Sequence, residues 1–148
     1  MPNETTIGFM GGRGEYPAYA TNYTALNYSE TLRLVYDPEK LSYEKVIETY
    51  WHFAPDPTQP PFDPAYDLRI FVHNAKERAI VEASIVEQRK RLNATIYVAV
   101  LNASDYEFWK AGEQHQQFFY KQGERCGNSS SSSSRGANFL PSGEPSRP

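Results

Sequence analysis

The feature that most constrains the fold is a change of hydrophobic period within one short stretch of the chain. The segment SETLRLVYDP places Leu32, Leu34 and Tyr36 at every second position, which predicts a strand with one apolar face. The segment that follows, LSYEKVIETYWHFAP, spaces its apolar residues for a helix, and Ser42 is placed to cap that helix. A chain that changes period in this way is typical of a fold that packs helices on a sheet.

The same change of period recurs further along the chain. LRIFVHN predicts a short strand, and Asn74 with Glu77 resembles a capping box that opens a helix of about 18 residues. ATIYVAVLN is almost wholly apolar, which predicts a strand that is buried on both faces. Residues 104–122 predict a loop and a final helix. The order β–β–α–β–α–β–α predicts an α+β fold, a two-layer sandwich with a mixed sheet.

The last 21 residues differ in composition from the rest of the chain. Residues 128–148 are rich in Ser, Gly and Pro and hold few large apolar side chains. Such a segment cannot bury enough surface to offset the entropy of ordering, so we expect a disordered tail. Residues 1–127 then form one domain with a single modest core.

Charge and apolar patterning exclude several classes of partner. The net charge is −3, with both signs interspersed and no basic run, so neither nucleic acid nor an anionic membrane is an expected partner. No apolar run approaches the roughly 20 residues of a membrane-spanning helix. The three histidines lie in different predicted elements, without the spacing of metal ligands, so we expect no bound metal or cofactor. We expect a monomer.

Six of the eight asparagines begin an N-x-S/T sequence, the acceptor pattern for N-glycosylation. One interpretation is a glycoprotein of the secretory pathway or the extracellular space whose signal is absent from this chain. The other is a surface rich in Asn, Ser and Thr that carries no sugar, on a cytoplasmic protein. The sequence leaves both open. The six are Asn3, Asn22, Asn27, Asn93, Asn102 and Asn128.

Glu30 is the candidate acid. It opens an otherwise apolar strand and follows the tyrosine-dense segment YPAYATNYTALNYSE. A carboxyl group in such surroundings is partly desolvated, which favours its protonated form and lets it act as a general acid near neutral pH. The alternative is a glutamate that is merely exposed at the end of a strand.

Cys126 is the only cysteine, so no disulfide forms within this chain. Its neighbours are a basic residue and flexible glycines, from which we expect an accessible and reactive thiol. It is either incidental or one half of a redox pair whose other half lies elsewhere.

Several segments together resemble the A-type peptide methionine sulfoxide reductases in order and spacing. They are GFMGG, YPAY, SETLRLVYDPEKLSYEKVIETYWHFAPDPT, YDLRIFVHN and AGEQHQQFFYKQGERCG, within residues 7–127. The resemblance implies the fold of that family, a mixed sheet with a ferredoxin-like core. It also implies that the first strand and helix of the family fold are missing from this chain.

The resemblance assigns roles to five residues. Glu30 matches the acid that protonates the sulfoxide oxygen, and Tyr19 and Tyr66 match the tyrosines whose hydroxyls hold that oxygen. Asp63 stands for a nearby aspartate, although the loop before Tyr66 is shorter than in the family pattern. Cys126 matches the resolving cysteine, which condenses with a sulfenic acid to form a disulfide.

The implied reaction reduces the S-epimer of methionine sulfoxide in proteins or peptides, with thioredoxin or another dithiol as the external reductant and no bound cofactor. The nucleophile of the family lies in a G-C-F-W motif, which this chain does not contain. The chain as written is therefore expected not to catalyse the reduction, because a carboxylic acid and phenols cannot replace a thiolate. The residues just before Glu30 also differ from the family pattern, with Asn27-Tyr28 in place of Gly-His and Ser29 in place of Ala.

Three interpretations follow. The chain is an incomplete reductase whose nucleophile lies upstream, or it is a catalytically inactive relative that binds oxidised methionine or a protein partner. The third is a small secreted binding domain that shares only the fold.

Overall fold

The structure is a computed structural model. It describes residues 4–14, 25–64 and 66–117, together with the backbone of residues 138–142. Its described part contains six strands and two α-helices, which confirms the α+β prediction. In chain order they are β1 (Glu4–Met10), β2 (Ser29–Val35), α1 (Tyr43–Phe53), β3 (Arg69–Val72), α2 (Ala75–Leu92), β4 (Ala99–Asn102), β5 (Trp109–Lys110) and β6 (Asn138–Ser142).

The strands form one mixed sheet in the order β4-β3-β6-β2-β1-β5. β1 and β2 pair antiparallel along their full length, from Glu4 opposite Val35 to Met10 opposite Ser29. β5 joins the free edge of β1, also antiparallel. β3 and β4 instead pair parallel. This combination confirms the predicted mixed sheet.

β6 occupies the middle of the sheet, between β2 and β3 and parallel to both. The prediction of a disordered tail is therefore wrong for residues 138–142. The physical reason is that β2 and β3 do not pair with each other, so their facing backbone groups need a strand between them. The other residues of 128–148 lie outside the described part of the chain.

Both helices begin at the capping residues that the sequence predicts. Ser42 Oγ accepts a hydrogen bond from the Lys45 N–H at 3.2 Å, at the start of α1. Asn74 Oδ1 accepts one from the Glu77 N–H at 2.9 Å, at the start of α2. The Glu77 carboxylate accepts from the N–H of His73 at 2.7 Å, one residue before the cap. Local sequence thus fixes where each helix starts.

The core has two parts, one on each face of the sheet. Because side chains alternate along a strand, β3 contributes Ile70 and Val72 to one face and Phe71 to the other. The helices cover the larger part, which consists of Tyr36, Val46, Ile47, Tyr50, Ile70, Val72 and Val81. The smaller part consists of Met10 and Phe71, packed against Leu101, Ala103, Tyr106 and Phe108.

β4 corrects one sequence prediction. The apolar run ATIYVAVLN predicts a strand buried on both faces, but the strand covers only residues 99–102, and Ala99 and Asn102 are exposed. The reason is its position at the edge of the sheet. Of the predicted final helix, the described residues contain only a 3-10 turn at Glu113–His115. Neither described helix is long and apolar enough to span a membrane.

Candidate functional site

Glu30 is the second residue of β2, and its side chain is partly buried. It lies opposite Phe9 of β1, and Phe9 lies opposite Trp109 of β5. Directly opposed residues of antiparallel strands project their side chains to the same face. Trp109, Phe9 and Glu30 therefore form a row across three strands, with two aromatic rings on one side of the carboxyl group. The same alternation puts Glu30 on the helix-covered face with Leu32.

The loop that carries Asp63 and Tyr66 is attached to the start of β2. The Ser29 hydroxyl donates a hydrogen bond to the Pro64 carbonyl at 2.5 Å. Within the loop, the Tyr66 N–H donates to the Asp63 carbonyl at 2.9 Å and closes a turn. Since Ser29 directly precedes Glu30, the structure brings Asp63 and Tyr66 to the same end of the sheet as the candidate acid.

Arg69 makes a second link between the same two parts of the chain. Its side chain is buried, and Nη1 donates to the Asn27 carbonyl at 2.9 Å while Nη2 donates to Asn27 Oδ1 at 3.0 Å. The Asp67 carboxylate lies 3.4 Å from Nη2. Asn27 has the left-handed backbone conformation, with φ of 62°, which asparagine tolerates better than most residues. Arg69 thus fixes the turn that leads into Glu30.

Sequence reasoning did not identify Arg69. The one available signal was a lone arginine at the start of an apolar strand, because such a charge is buried only when it has partners. Its principal partner lies 42 positions away in the chain, and nothing in the local pattern points there.

Two glycines at the end of β1 allow this arrangement. Gly11 has φ of 89°, and a Cβ there would lie 2.6 Å from Arg69 Nη1. A Cβ at Gly12 would lie 2.4 Å from the ring of Tyr28. Any side chain at either position would displace the turn at residues 26–28 or the guanidinium that holds it.

Comparison with known proteins identifies the family of this chain. The sequence profile of the family described as "Peptide methionine sulfoxide reductase" matches residues 3–141. The chain belongs to this family. Three reductases named "Peptide methionine sulfoxide reductase MsrA" are among its relatives. That of Methanoculleus marisnigri is 37% identical over 81% of this chain and 76% of the relative. Those of Streptomyces griseus and Methanosarcina acetivorans are 31% and 32% identical, over 83% and 80% of this chain but only 60% and 66% of the relatives.

The structure places three of the five residues that the reductase resemblance selects. Glu30, Asp63 and Tyr66 lie at one end of the sheet, held there by the bond between Ser29 and Pro64. Tyr19 and Cys126 lie outside the described residues. The roles of all five remain predictions. No group of three or more His, Cys, Asp or Glu side chains within the described ranges is arranged to hold a metal ion.

A second group of titratable side chains lies near the other end of β2. Burial raises the pKa of the Tyr43 hydroxyl, and the negative charge of Glu77 raises it further. Burial likewise raises the pKa of Tyr36, again with a contribution from Glu77. Both phenols are therefore neutral at physiological pH and cannot serve as phenolate bases. This group is separated from Glu30 by the length of the strand.

Proposed function

We propose that this chain supplies the sulfoxide-binding and proton-donating part of a thiol-dependent peptide methionine sulfoxide reductase. The observation that carries the proposal is the attachment of the loop with Asp63 and Tyr66 to Ser29, the residue before Glu30, at the same end of the sheet. A sulfoxide oxygen accepts hydrogen bonds, and its reduction requires that this oxygen be protonated as the S–O bond breaks. A carboxylic acid and a phenol at one end of a sheet match both requirements.

In the proposed reaction a thiolate attacks the sulfoxide sulfur while Glu30 transfers a proton to the oxygen. The attack forms a bond between the two sulfur atoms. That bond and the S–O bond of the substrate then break as the hydroxyl group passes to the attacking sulfur, so the sulfide leaves with its electron pair and the thiol becomes a sulfenic acid. A second thiol then attacks the sulfenic sulfur, which forms a disulfide and releases water, and an external dithiol such as thioredoxin reduces that disulfide. Tyr66, together with Tyr19, donates hydrogen bonds to the oxygen, and Cys126 is the second thiol.

The first thiol is the part that residues 1–148 do not provide, because Cys126 is their only cysteine. We therefore expect this polypeptide to bind methionine sulfoxide without reducing it catalytically. The hypothesis of an upstream nucleophile predicts that transcript sequence before Met1 encodes a strand that ends in G-C-F-W.

A second candidate function is binding of oxidised methionine without catalysis. Two positions where this chain departs from the family pattern, Asn27 and Ser29, favour it, because both make side-chain hydrogen bonds. The Asn27 side-chain oxygen accepts a hydrogen bond from Arg69, and the Ser29 hydroxyl donates one to the Pro64 carbonyl. These departures therefore build a defined structure around Glu30. An authentic translation start at Met1 would favour this candidate over the first.

Calorimetry with two matched peptides tests the binding step that both candidates share. The chain should bind a peptide that contains methionine S-sulfoxide at least tenfold more tightly than the same peptide with methionine. Glu30→Ala should reduce sulfoxide affinity about fivefold to tenfold, since one hydrogen bond is worth about 1 kcal/mol. Glu30→Gln should retain most of it, because the amide still donates. Glu48→Ala, on the exposed side of α1, is the control.

Equal binding of both peptides would remove the proposal. An assay with dithiothreitol or thioredoxin then separates binding from catalysis. We expect no turnover from residues 1–148. Turnover that disappears in Cys126→Ser would instead make Cys126 the nucleophile and overturn its proposed role as the second thiol.

The predicted location in the secretory pathway and the monomeric state remain predictions. Among the six N-x-S/T asparagines, Asn27, Asn93 and Asn102 are described, and all three are exposed. A shift in electrophoretic mobility after treatment with an N-glycosidase would test whether they carry sugar in the native host.

A further inference from the structure

Phe62 has an unusual environment for a phenylalanine. Its side chain is 83% exposed, the largest value among the exposed large hydrophobic side chains of the described residues. Its ring stacks on the ring of Tyr66, with centroids 5.8 Å apart and planes 21° apart. The solvent-exposed ring of Phe62 thus packs against a candidate substrate-binding tyrosine.

The loop holds this ring pair in place. The Asp56 carboxylate accepts hydrogen bonds from the Thr58 N–H at 2.9 Å and from the Thr58 hydroxyl at 2.7 Å. The Tyr97 N–H donates to the Pro57 carbonyl at 2.8 Å, which attaches the loop to the segment before β4. Prolines also restrict the backbone on both sides of Phe62, at positions 60, 61 and 64. The exposure of Phe62 is therefore built into the fold.

The loop of the ring pair is also attached to the start of β2. Phe62 is two residues from Pro64, at most about 7 Å of chain. The Pro64 carbonyl contacts Ser29, the residue before Glu30. A peptide whose sulfoxide oxygen accepts a hydrogen bond from Tyr66 has its neighbouring residues beside the ring of Phe62, which stacks on Tyr66.

We propose that Phe62, supported by Tyr66, binds an apolar residue next to the oxidised methionine. The site then binds methionine sulfoxide within an extended segment more tightly than it binds methionine sulfoxide without neighbouring residues. This inference rests on the proposed function. An aromatic ring that is already ordered loses little conformational entropy on binding, so the apolar area that it buries contributes to affinity.

The test compares two ligands and two phenylalanines. The ligands are an octapeptide with methionine S-sulfoxide between leucine and phenylalanine, and N-acetyl methionine S-sulfoxide amide, which has no neighbouring residues. Phe62→Ala should weaken binding of the octapeptide by about fivefold to thirtyfold and leave binding of the small ligand unchanged. Phe53→Ala is the matched control, because Phe53 is also a highly exposed phenylalanine, at 72%, but it ends α1. It should change neither affinity.

Three results would overturn the inference while leaving the proposed function intact. The first is unchanged binding of the octapeptide by Phe62→Ala. The second is an equal loss for both ligands, which would mean that Phe62 acts by holding Tyr66 in place. The third is a dimer of the parent chain in sedimentation velocity that Phe62→Ala dissociates, which would assign the ring pair to a second copy. Failure of the parent chain to bind either ligand is a different pattern, and it would remove the proposed function together with this inference.

Discussion

The two strands on either side of β6 are held in different ways. β3 is short, with all four side chains buried, and it pairs with β6 at a single position, Ile70 opposite Phe139. β2 is longer and more exposed, and it pairs with β6 at every position from Thr31 to Val35. Side-chain packing and backbone pairing with β4 therefore hold β3, which meets β6 at one position, whereas backbone pairing with β1 and β6 holds β2.

This difference shows where the sheet is vulnerable. The β3–β4 side and the β1–β2–β5 side each have their own pairing, but within the described residues only β6 joins them by strand hydrogen bonds. Before Thr31, where the pairing of β2 with β6 begins, the hydrogen bonds of Arg69 to Asn27 and of Ser29 to Pro64 connect the two sides. The candidate site lies at this connection. A change that weakens the connection should therefore lower both the stability of the protein and the affinity of the site.

The largest effect should follow from removal of β6. A chain that ends at residue 137 loses its ladder with β2 and leaves two unpaired edges. At about 1 kcal/mol for each hydrogen bond, we expect the free energy of unfolding to fall by about 4 kcal/mol in urea denaturation. A chain that ends at residue 142 is the control and should keep its stability. A loss below about 1 kcal/mol from the shorter chain would show that β6 does not hold the two sides together.

Arg69→Met should have the next largest effect. The change leaves the Asn27 carbonyl, Asn27 Oδ1 and the Asp67 carboxylate without their cationic donor, which costs about 3 kcal/mol of stability. Arg69→Lys should restore only part of this, because an ammonium group lacks the planar fork. Arg33→Met is the control, since Arg33 lies over the ring of Phe108 at 5.8 Å and is only partly buried. Equal losses for Arg69→Met and Arg33→Met would contradict a special role for the Asn27 contact.

Asn74→Ala should reduce stability by about 1 kcal/mol, because α2 loses the bond to the Glu77 N–H. This change affects the β3 side alone. Affinity for a sulfoxide peptide should therefore stay at the parent value, in contrast to Arg69→Met. Thermal unfolding and calorimetry should be measured on both variants. An equal loss of affinity in Asn74→Ala and Arg69→Met would show that the site does not depend specifically on the connection between the two sides of the sheet.

The smallest effect concerns pH and the loop of Phe62. Hydrogen bonds from the side chain and backbone of Thr58, and from Gln59, hold the pKa of Asp56 below its ordinary value of 3.8. Because the pKa is lower in the folded state, the contribution of Asp56 is complete above that ordinary value and is lost as the pH falls through the folded pKa. As the pH falls below about 4, the protection factor of the Thr58 amide, the intrinsic exchange rate divided by the observed rate at the same pH, should decrease. Asp56→Asn should remove this pH dependence, and an unchanged acid response would assign it to another group.

The sequence predicts the parts of this structure that depend on local pattern. The alternation of Leu32 and Leu34 predicts β2, and the capping residues Ser42 and Asn74 predict where the helices begin. It also selects Glu30, since a carboxyl group at the start of an apolar strand is a local feature.

The remaining features depend on contacts between distant residues. β6 lies in a segment whose composition predicts disorder, and its order comes from two strand edges that no local pattern reveals. The contact of Arg69 with Asn27 and the alignment of Trp109 with Glu30 through Phe9 arise only when the sheet assembles. The exposure of Phe62 is likewise a result of how the loop is attached, because its sequence alone reads as an ordinary proline-rich connection.

The most direct test of the account is a carbon-13 NMR titration that follows the side-chain carboxyl resonance of Glu30. With the methionine S-sulfoxide octapeptide, we predict a saturable change in that resonance, while the carboxyl resonance of exposed Glu48 stays constant. The same peptide with methionine should leave both unchanged. If the octapeptide binds and the Glu30 resonance does not move, the sulfoxide oxygen is held elsewhere and the assignment of Glu30 as the acid is wrong.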